Sequence, residues 1–378
     1  MTRRIYLFIA TNPWDSWAAS ELLWSQAAEK LARRGNQVRI SVKDWGQHVP
    51  QIERLRSAGC QIFYRRTPSF VRRLVRKVFP SAEFSRLHVR SIGIGANLVV
   101  ISQGANADGL PWMEAARAVG YKYAVVAHIV AEAWWPEDDA AEKLSECYES
   151  AIQAYFVSQG NLRLIRRQLG TPLRNAKIVR NPFNVRYDAQ PDWPGDPLQE
   201  LRLACIGRLD VAQKGQDLLL EVLGLPHWRE RKVRVSLFGK GTNERALRRV
   251  AKELKLTSVE FSGYQENIEG IWSKHHALVL PSRFEGMPLV VVEAMLCGRP
   301  CIVTDVAGHG ELIRDGANGF LAKAATVELL DEAMNRAWEN RGQLKEMGAV
   351  ATNDVRQWVS ADPAEDFVRE LETLAENS

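Results

Sequence analysis

The chain has 378 residues, 46% of them hydrophobic and 25% charged, with a formal net charge of +5. That balance excludes a disordered chain, and the length exceeds one ordinary core and fits two domains. No stretch approaches the ~18 uncharged apolar residues that a membrane-spanning helix needs. The charge is uneven. Residues 1–182 hold 26 Lys/Arg against 15 Asp/Glu, a net +11, and the remainder holds 24 against 30, a net −6. A basic first half and a mildly acidic second half predict different partners for the two halves.

In chain order, Ile5–Ala10 reads as a buried strand. The apolar run is too short for a signal peptide and meets Asn12-Pro13-Trp14-Asp15, so a cytoplasmic protein is expected. Five cysteines, an odd number without paired spacing, agree with a reducing compartment. Ser20–Arg34 is predicted as a helix closed by Gly35. Val38–Val42, Asn97–Ser102, Tyr123–His128 and Ala154–Ser158 follow as short apolar runs suited to a parallel sheet.

The segment Asp188–Pro197, with three prolines and a glycine, reads as a linker. Beyond it Leu201–Ile206, Val233–Phe238, Val259–Ser262, Ala277–Leu280 and Pro300–Thr304 are predicted strands, with helical stretches between most of them. The expected class is α/β, with two facing, doubly wound Rossmann-like domains and a ligand cleft between them. Their expected bounds are 1–187 and 201–355, with a linker at 188–200 and a final helix within 356–378 crossing back to the first domain.

Three stretches after the linker carry chemistry. In Pro281–Met295, Pro288 suits the first turn of a helix, and the backbone from Gly286 through Met287 and Pro288 to Leu289, with an N–H on each residue but the proline, would frame an anion site suited to a diphosphate. Glu285 precedes that helix, and Glu293 lies inside it among apolar residues, where a carboxylate needs a polar partner such as a ribose. In Gly207–Gly215, Arg208 and Lys214 bracket a loop at a strand's carboxyl end and suit a diphosphate gaining charge as its bond to sugar breaks. The turn Gly239-Lys240-Gly241 follows another strand and adds Gly239 and Gly241 to the candidates. Gly93-Ile94-Gly95 lacks a third glycine at the dinucleotide spacing, which argues against a nicotinamide cofactor. Cys297 and Cys301 lack two further ligands for zinc and are expected to be buried free thiols.

Together with Thr304–Phe320, these strings resemble the GT-B glycosyltransferases, and among them the retaining family-four enzymes (glycosyl transferases group 1), most strongly from Leu201 to Leu321. The resemblance implies a nucleotide-sugar donor, such as a UDP- or GDP-sugar, on the second domain. It places Arg208 and Lys214 on the diphosphate and Glu293 on the ribose, with Gly207 among the donor-binding residues. Glu285 and Gly286–Leu289 face the sugar and phosphates, and Tyr264 and Gln265 lie near the base. The first domain is implied to bind the acceptor. Its first loop has Ala18 and Ala19 where the family has paired glycines, which works against close approach to a phosphate; Ser20 keeps a hydrogen-bond donor. His128 matches the family's strand-end histidine near the reacting sugar, and Asn181-Pro182 its turn before the crossover.

The expected reaction is a retaining hexosyl transfer by front-face displacement. Glu285, His128, Arg208 and Lys214 are the expected catalytic residues. No cofactor or metal is expected, because no Asp-x-Asp pair occurs in the chain. A GT-B protein with epimerase-like chemistry and a non-catalytic partner subunit are the alternatives. Between Arg54 and Arg90 stand ten Lys/Arg and one acid. Phe70–Phe79 there alternates apolar pairs with Arg72, Arg73, Arg76 and Lys77, a helix suited to an anionic membrane surface or a lipid-linked acceptor. The expected partners are therefore a glycan or lipid-linked acceptor, with peripheral contact at the inner face of the cytoplasmic membrane. A nucleic-acid partner is not expected, since no reader motif occurs.

Overall fold

The computed structural model describes residues 3–65 and 81–376. It divides into two units, Met1–Pro182 with Asp362–Ser378, and Phe183–Ala361. The basic stretch singled out at Phe70–Phe79, with Arg72, Arg73, Arg76 and Lys77, lies outside the described residues. No described helix is long and apolar enough to cross a membrane.

The first unit is built on β1 (Ile5–Ala10), β2 (Gln37–Lys43), β3 (Gln61–Arg65), β4 (Leu98–Gln103), β5 (Tyr123–Ala127), β6 (Gln153–Phe156) and β7 (Ala176–Ile178). All are parallel, in the order β3-β2-β1-β4-β5-β6-β7. Every residue of β4 and β5 is buried, as expected where helices cover both faces of a parallel sheet. The sheet reverses its winding between β1 and β4, the point where such sheets open a crevice.

The helix Ser20–Arg33 ends in a cluster of cations, and the last helix, Pro363–Glu376, begins with acids. Lys30 Nζ lies 2.6 Å from Asp362, and Arg34 Nη1 lies 2.8 Å from Glu372. These pairs are partly exposed, worth about 0–1 kcal/mol each. Burial of Phe367, Val368 and Leu371 does more to hold the helix in this unit.

The second unit repeats the architecture with β8 (Leu201–Ile206), β9 (Val233–Phe238), β10 (Val259–Gly263), β11 (Ala277–Leu280), β12 (Cys301–Thr304) and β13 (Gly319–Ala322). Their order is β10-β9-β8-β11-β12-β13, again parallel, with the reversal between β8 and β11. The proline-rich segment has neither helix nor strand and is tied to this unit. Trp193 packs against its core, and the Arg299 guanidinium reaches the carbonyls of Pro191 and Asp192.

The strands β3, β7 and β13 were not expected from the sequence. Each is an edge strand; β3 and β7 are half exposed and carry polar residues, so they lack the unbroken apolar run of a central strand, and β13, mostly buried, is only four residues long and opens on a glycine. All five cysteines are free and buried.

Candidate active site

At the reversal point of the second sheet, the loops after β8 and β11 come side by side. After β8 the chain turns through Arg208 into a single helical turn, Val211–Lys214. After β11, Ser282 and Glu285 lie buried beside it. Lys214 Nζ meets Glu285 Oε1 at 2.5 Å, and Ser282 Oγ donates to the same oxygen at 2.7 Å. Gln213 Nε2 approaches Glu285 Oε2 at 3.5 Å, while Gln213 Oε1 accepts from Arg208 Nη2 at 2.8 Å. Thus Lys214 and Arg208 are both oriented by neighbours, one directly by Glu285 and one through Gln213.

The network continues into the loop after β12. Thr304 Oγ1 donates to the Ser282 carbonyl at 2.5 Å, and His309 Nδ1 lies 2.6 Å from the Thr304 carbonyl. A carbonyl can only accept, so Nδ1 carries the proton and Nε2 of the neutral ring is an acceptor. That Nε2 is buried and meets no partner among the described residues. Burial pushes the ring's pKa down, and the nearby Glu285 charge opposes the shift.

The helix Leu289–Leu296 begins just after Pro288, and no side chain caps its start. Glu293, inside it, is buried, and its Oε1 accepts from the Asn184 backbone N at 2.9 Å and from Asn184 Nδ2 at 2.8 Å. Burial pushes this carboxyl's pKa up, and the Asn184 bonds pull against it. The polar partner that Glu293 takes here is Asn184. Tyr264 is exposed just beyond β10, and Gln265 Nε2 donates to the Ser262 carbonyl at 3.3 Å. Gly239 and Gly241 serve a close approach of two loops. A Cβ on Gly239 would stand 2.0 Å from the Gly207 carbonyl oxygen, and one on Gly241 2.3 Å from that of Leu209.

In the first unit, His128 follows β5 and is buried, with Nε2 3.1 Å from Ser102 Oγ. Burial lowers its pKa to about 4, with Asn181 opposing in part, so the ring is neutral at pH 7. Ser20 Oγ donates to Glu21 Oε2 at 2.7 Å. The same carboxylate oxygen accepts from Asn12 Nδ2 at 3.2 Å and from Ala18 N at 3.1 Å, pinning the loop after β1. Nearby Asp108 accepts from Gly104 N at 3.0 Å and Ala105 N at 3.3 Å, and burial pushes it up to about 7.

The sequence reading assigned no role to Gln213, Ser282, His309, Glu21 or Asp108. Gln213, Ser282, Glu21 and Asp108 sit on loops or helical turns beside a sheet reversal, and His309 opens a helix one strand further, after β12; that placement was the available signal.

Residues 200–340 match the family model Glycosyl transferases group 1. An uncharacterized glycosyltransferase of Methanocaldococcus jannaschii is 31% identical over 140 residues, 36% of this chain and 38% of that protein. The Escherichia coli UDP-Gal:alpha-D-GlcNAc-diphosphoundecaprenol alpha-1,3-galactosyltransferase is 33% identical over 79 residues, 21% of this chain and 20% of that protein. The matched region thus spans less than two fifths of either relative. The crystal structure of Anabaena Alr3699/HepE in complex with UDP is similar over 98% of this chain and 99% of that one, with a TM-score of 0.76 at 16% identity. Residues 200–340 are thus similar to the glycosyl transferases group 1 family, within a chain that has the two-domain GT-B fold.

Proposed function

We propose that the protein is a retaining glycosyltransferase that moves a hexose-type sugar from a nucleotide-sugar to a hydroxyl of a glycan or lipid-linked acceptor. The observation that carries this is the cation pair Arg208 and Lys214, oriented by Gln213 and Glu285 where the second sheet reverses. An anionic leaving group is what such a place accommodates, because two held cations stabilise charge as it develops and need little reorganisation. The uncapped helix start after Pro288 supplies further N–H donors.

In this reading Lys214 and Arg208 bind the departing diphosphate. Glu285 is a positioning residue for Lys214 and borders the sugar. Glu293 takes the ribose in exchange for Asn184. The acceptor hydroxyl enters on the face the diphosphate leaves, and a diphosphate oxygen takes its proton. His128, neutral at pH 7, is assigned to the first unit's acceptor side. The UDP named in the Anabaena structure and the UDP-Gal and diphosphoundecaprenol named for the Escherichia coli relative support a UDP-sugar and a lipid-linked acceptor, used at the inner face of the cytoplasmic membrane.

The test is a panel of UDP-, GDP- and ADP-sugars, scored by thermal shift and by slow donor hydrolysis. At least one base should raise the melting temperature by mass action, and Lys214→Ala should abolish the rise while remaining folded. A folded wild-type protein that responds to none of them overturns the reading.

A further inference from the structure

The second unit concentrates positive charge on one helix. Residues 183–361 hold 23 Lys/Arg against 24 Asp/Glu, a net −1, yet residues 240–255 alone hold six against two, a net +4, which leaves the rest of the unit at −5. The helix Glu244–Glu253 carries most of that excess. Arg245, Arg248, Arg249 and Lys252 recur at i, i+3, i+4 and i+7 and are all exposed, so they form one stripe. The opposite face, with Leu247 and Ala251, is buried in the core. Arg248 pairs with Glu244 at 2.9 Å and lies over the Phe261 ring. That is the stripe's one ion pair among the described residues, so Arg245, Arg249 and Lys252 keep their charge uncompensated.

The helix is fastened to the loop that bears Arg208 and Lys214. Leu209 N donates to the Lys240 carbonyl at 3.0 Å, and Asn243 N donates to the Leu209 carbonyl at 3.0 Å. Val211 N donates to Asn243 Oδ1 at 3.0 Å, which ties the start of the Val211–Lys214 turn to the residue preceding the basic helix. The stripe therefore begins at the edge of the candidate donor loops and runs away from them. At about 1.5 Å per residue, Lys252 stands about 10 Å beyond Arg245.

An approaching diphosphate meets net negative charge over the rest of the unit. A row of uncompensated cations beside the loops reverses the local field and raises the rate of encounter without contact in the bound complex. We infer that Arg245, Arg249 and Lys252 steer the anionic nucleotide-sugar onto the Arg208–Lys214 loop and act on its association, not on its retention. The inference rests on the donor reading proposed above and adds to it three residues that touch neither sugar nor phosphate.

The test is binding of UDP to the full chain, with calorimetry for Kd and phosphorus NMR line shapes for the dissociation rate; the two together give the association rate. At about 10 mM salt the screening length is ~30 Å and spans the helix. There the variant Arg245→Gln/Arg249→Gln/Lys252→Gln should associate about fivefold more slowly than wild type, with its dissociation rate within about twofold. At about 1 M salt, where the screening length is ~3 Å, the two association rates should converge. The variant Arg229→Gln/Lys232→Gln/Arg234→Gln removes the same amount of charge from exposed positions around the amino end of β9. Its association rate should stay within about twofold of wild type.

Equal association rates for wild type and the stripe variant at low salt overturn the inference. So does an equal slowing in the control variant, which would make net charge the cause. A loss of affinity through faster dissociation also overturns it, because it would mark direct contact with the bound nucleotide. In these three cases UDP still binds wild type and the donor reading stands. A folded wild-type protein that takes no UDP overturns the UDP-donor reading, and the steering inference falls with it.

Discussion

Lys214 Nζ stands 2.5 Å from Glu285 Oε1, and both side chains are largely shut off from water, at 14% and 4% exposure. Removing one partner of such a pair leaves the other charge buried without compensation, which costs about 3–5 kcal/mol. Lys214→Met and Glu285→Gln should therefore each destabilise the second unit by about 3 kcal/mol. The combined variant should lose less than the sum by about 2 kcal/mol, because the second change relieves the charge stranded by the first. Urea unfolding across the four proteins measures this, and strict additivity would show that the two groups do not act together.

Gly239 separates a backbone role from a ligand role. It has φ +130, and an added Cβ would stand 2.0 Å from a neighbouring backbone oxygen, which no side-chain rotation relieves. Gly239→Ala should destabilise by about 2 kcal/mol or more, through strain and through parting of the loops after β8 and β9. Differential scanning fluorimetry without any nucleotide is the measurement. A variant as stable as wild type that has lost only UDP affinity would place the glycine's importance at the ligand instead.

The reach of the sequence differed between the scaffold and the site for a physical reason. The central strand Leu98–Gln103 is buried throughout and apolar from Leu98 to Ile101 because both faces are covered, so it announces itself. The spacing of Arg208, Lys214 and Glu285 around predicted strand ends placed them together, since parallel sheets gather such loops at one edge. What escaped was pairwise. Nothing in the string Cys205–Gly215 states that Gln213 holds Arg208, or that Asn184 answers the need of Glu293 for a polar partner. The pocket at the ends of β1 and β2 draws on Trp17, Trp24, Trp45 and Tyr64 among others, residues scattered over four elements or loops with no common motif.

Arg299 illustrates the same limit, since the stretch Cys297–Cys301 drew attention for its thiols. Its guanidinium is 3% exposed and donates to five carbonyls, those of Trp272, His275, Cys297, Pro191 and Asp192. Burial lowers its pKa to about 10, which still leaves it charged at pH 7. Arg299→Met should cost about 3–5 kcal/mol, by stranding those carbonyls and freeing the proline-rich segment. Arg299→Lys should recover little, because an ammonium cannot reproduce the fork. Limited proteolysis checks this directly. Cleavage within residues 188–197 should speed up in both variants, and an unchanged rate would show that the segment is held by Trp193 packing alone.

His128 gives a pH dependence whose sign can be worked out. Its pKa is lowered from 6.5 to about 4 in the folded chain, chiefly by burial. Above pH 6.5 the ring is neutral whether folded or not, and its contribution is fully present. Between pH 6.5 and about 4 the unfolded chain takes up a proton that the folded chain refuses, so stability falls with pH across that window. The loss attributable to this one ring is about 3 kcal/mol by pH 4. Asp108, raised to about 7, acts in the opposite direction as pH falls, because the folded chain takes its proton first. Comparing wild type with His128→Gln cancels that term. Amide hydrogen exchange in β5, corrected for intrinsic rates, reads the first unit alone. The stability advantage of wild type over the variant should shrink by about 3 kcal/mol from pH 7.5 to pH 4, and a difference independent of pH would mean that His128 gains its proton as readily folded as unfolded.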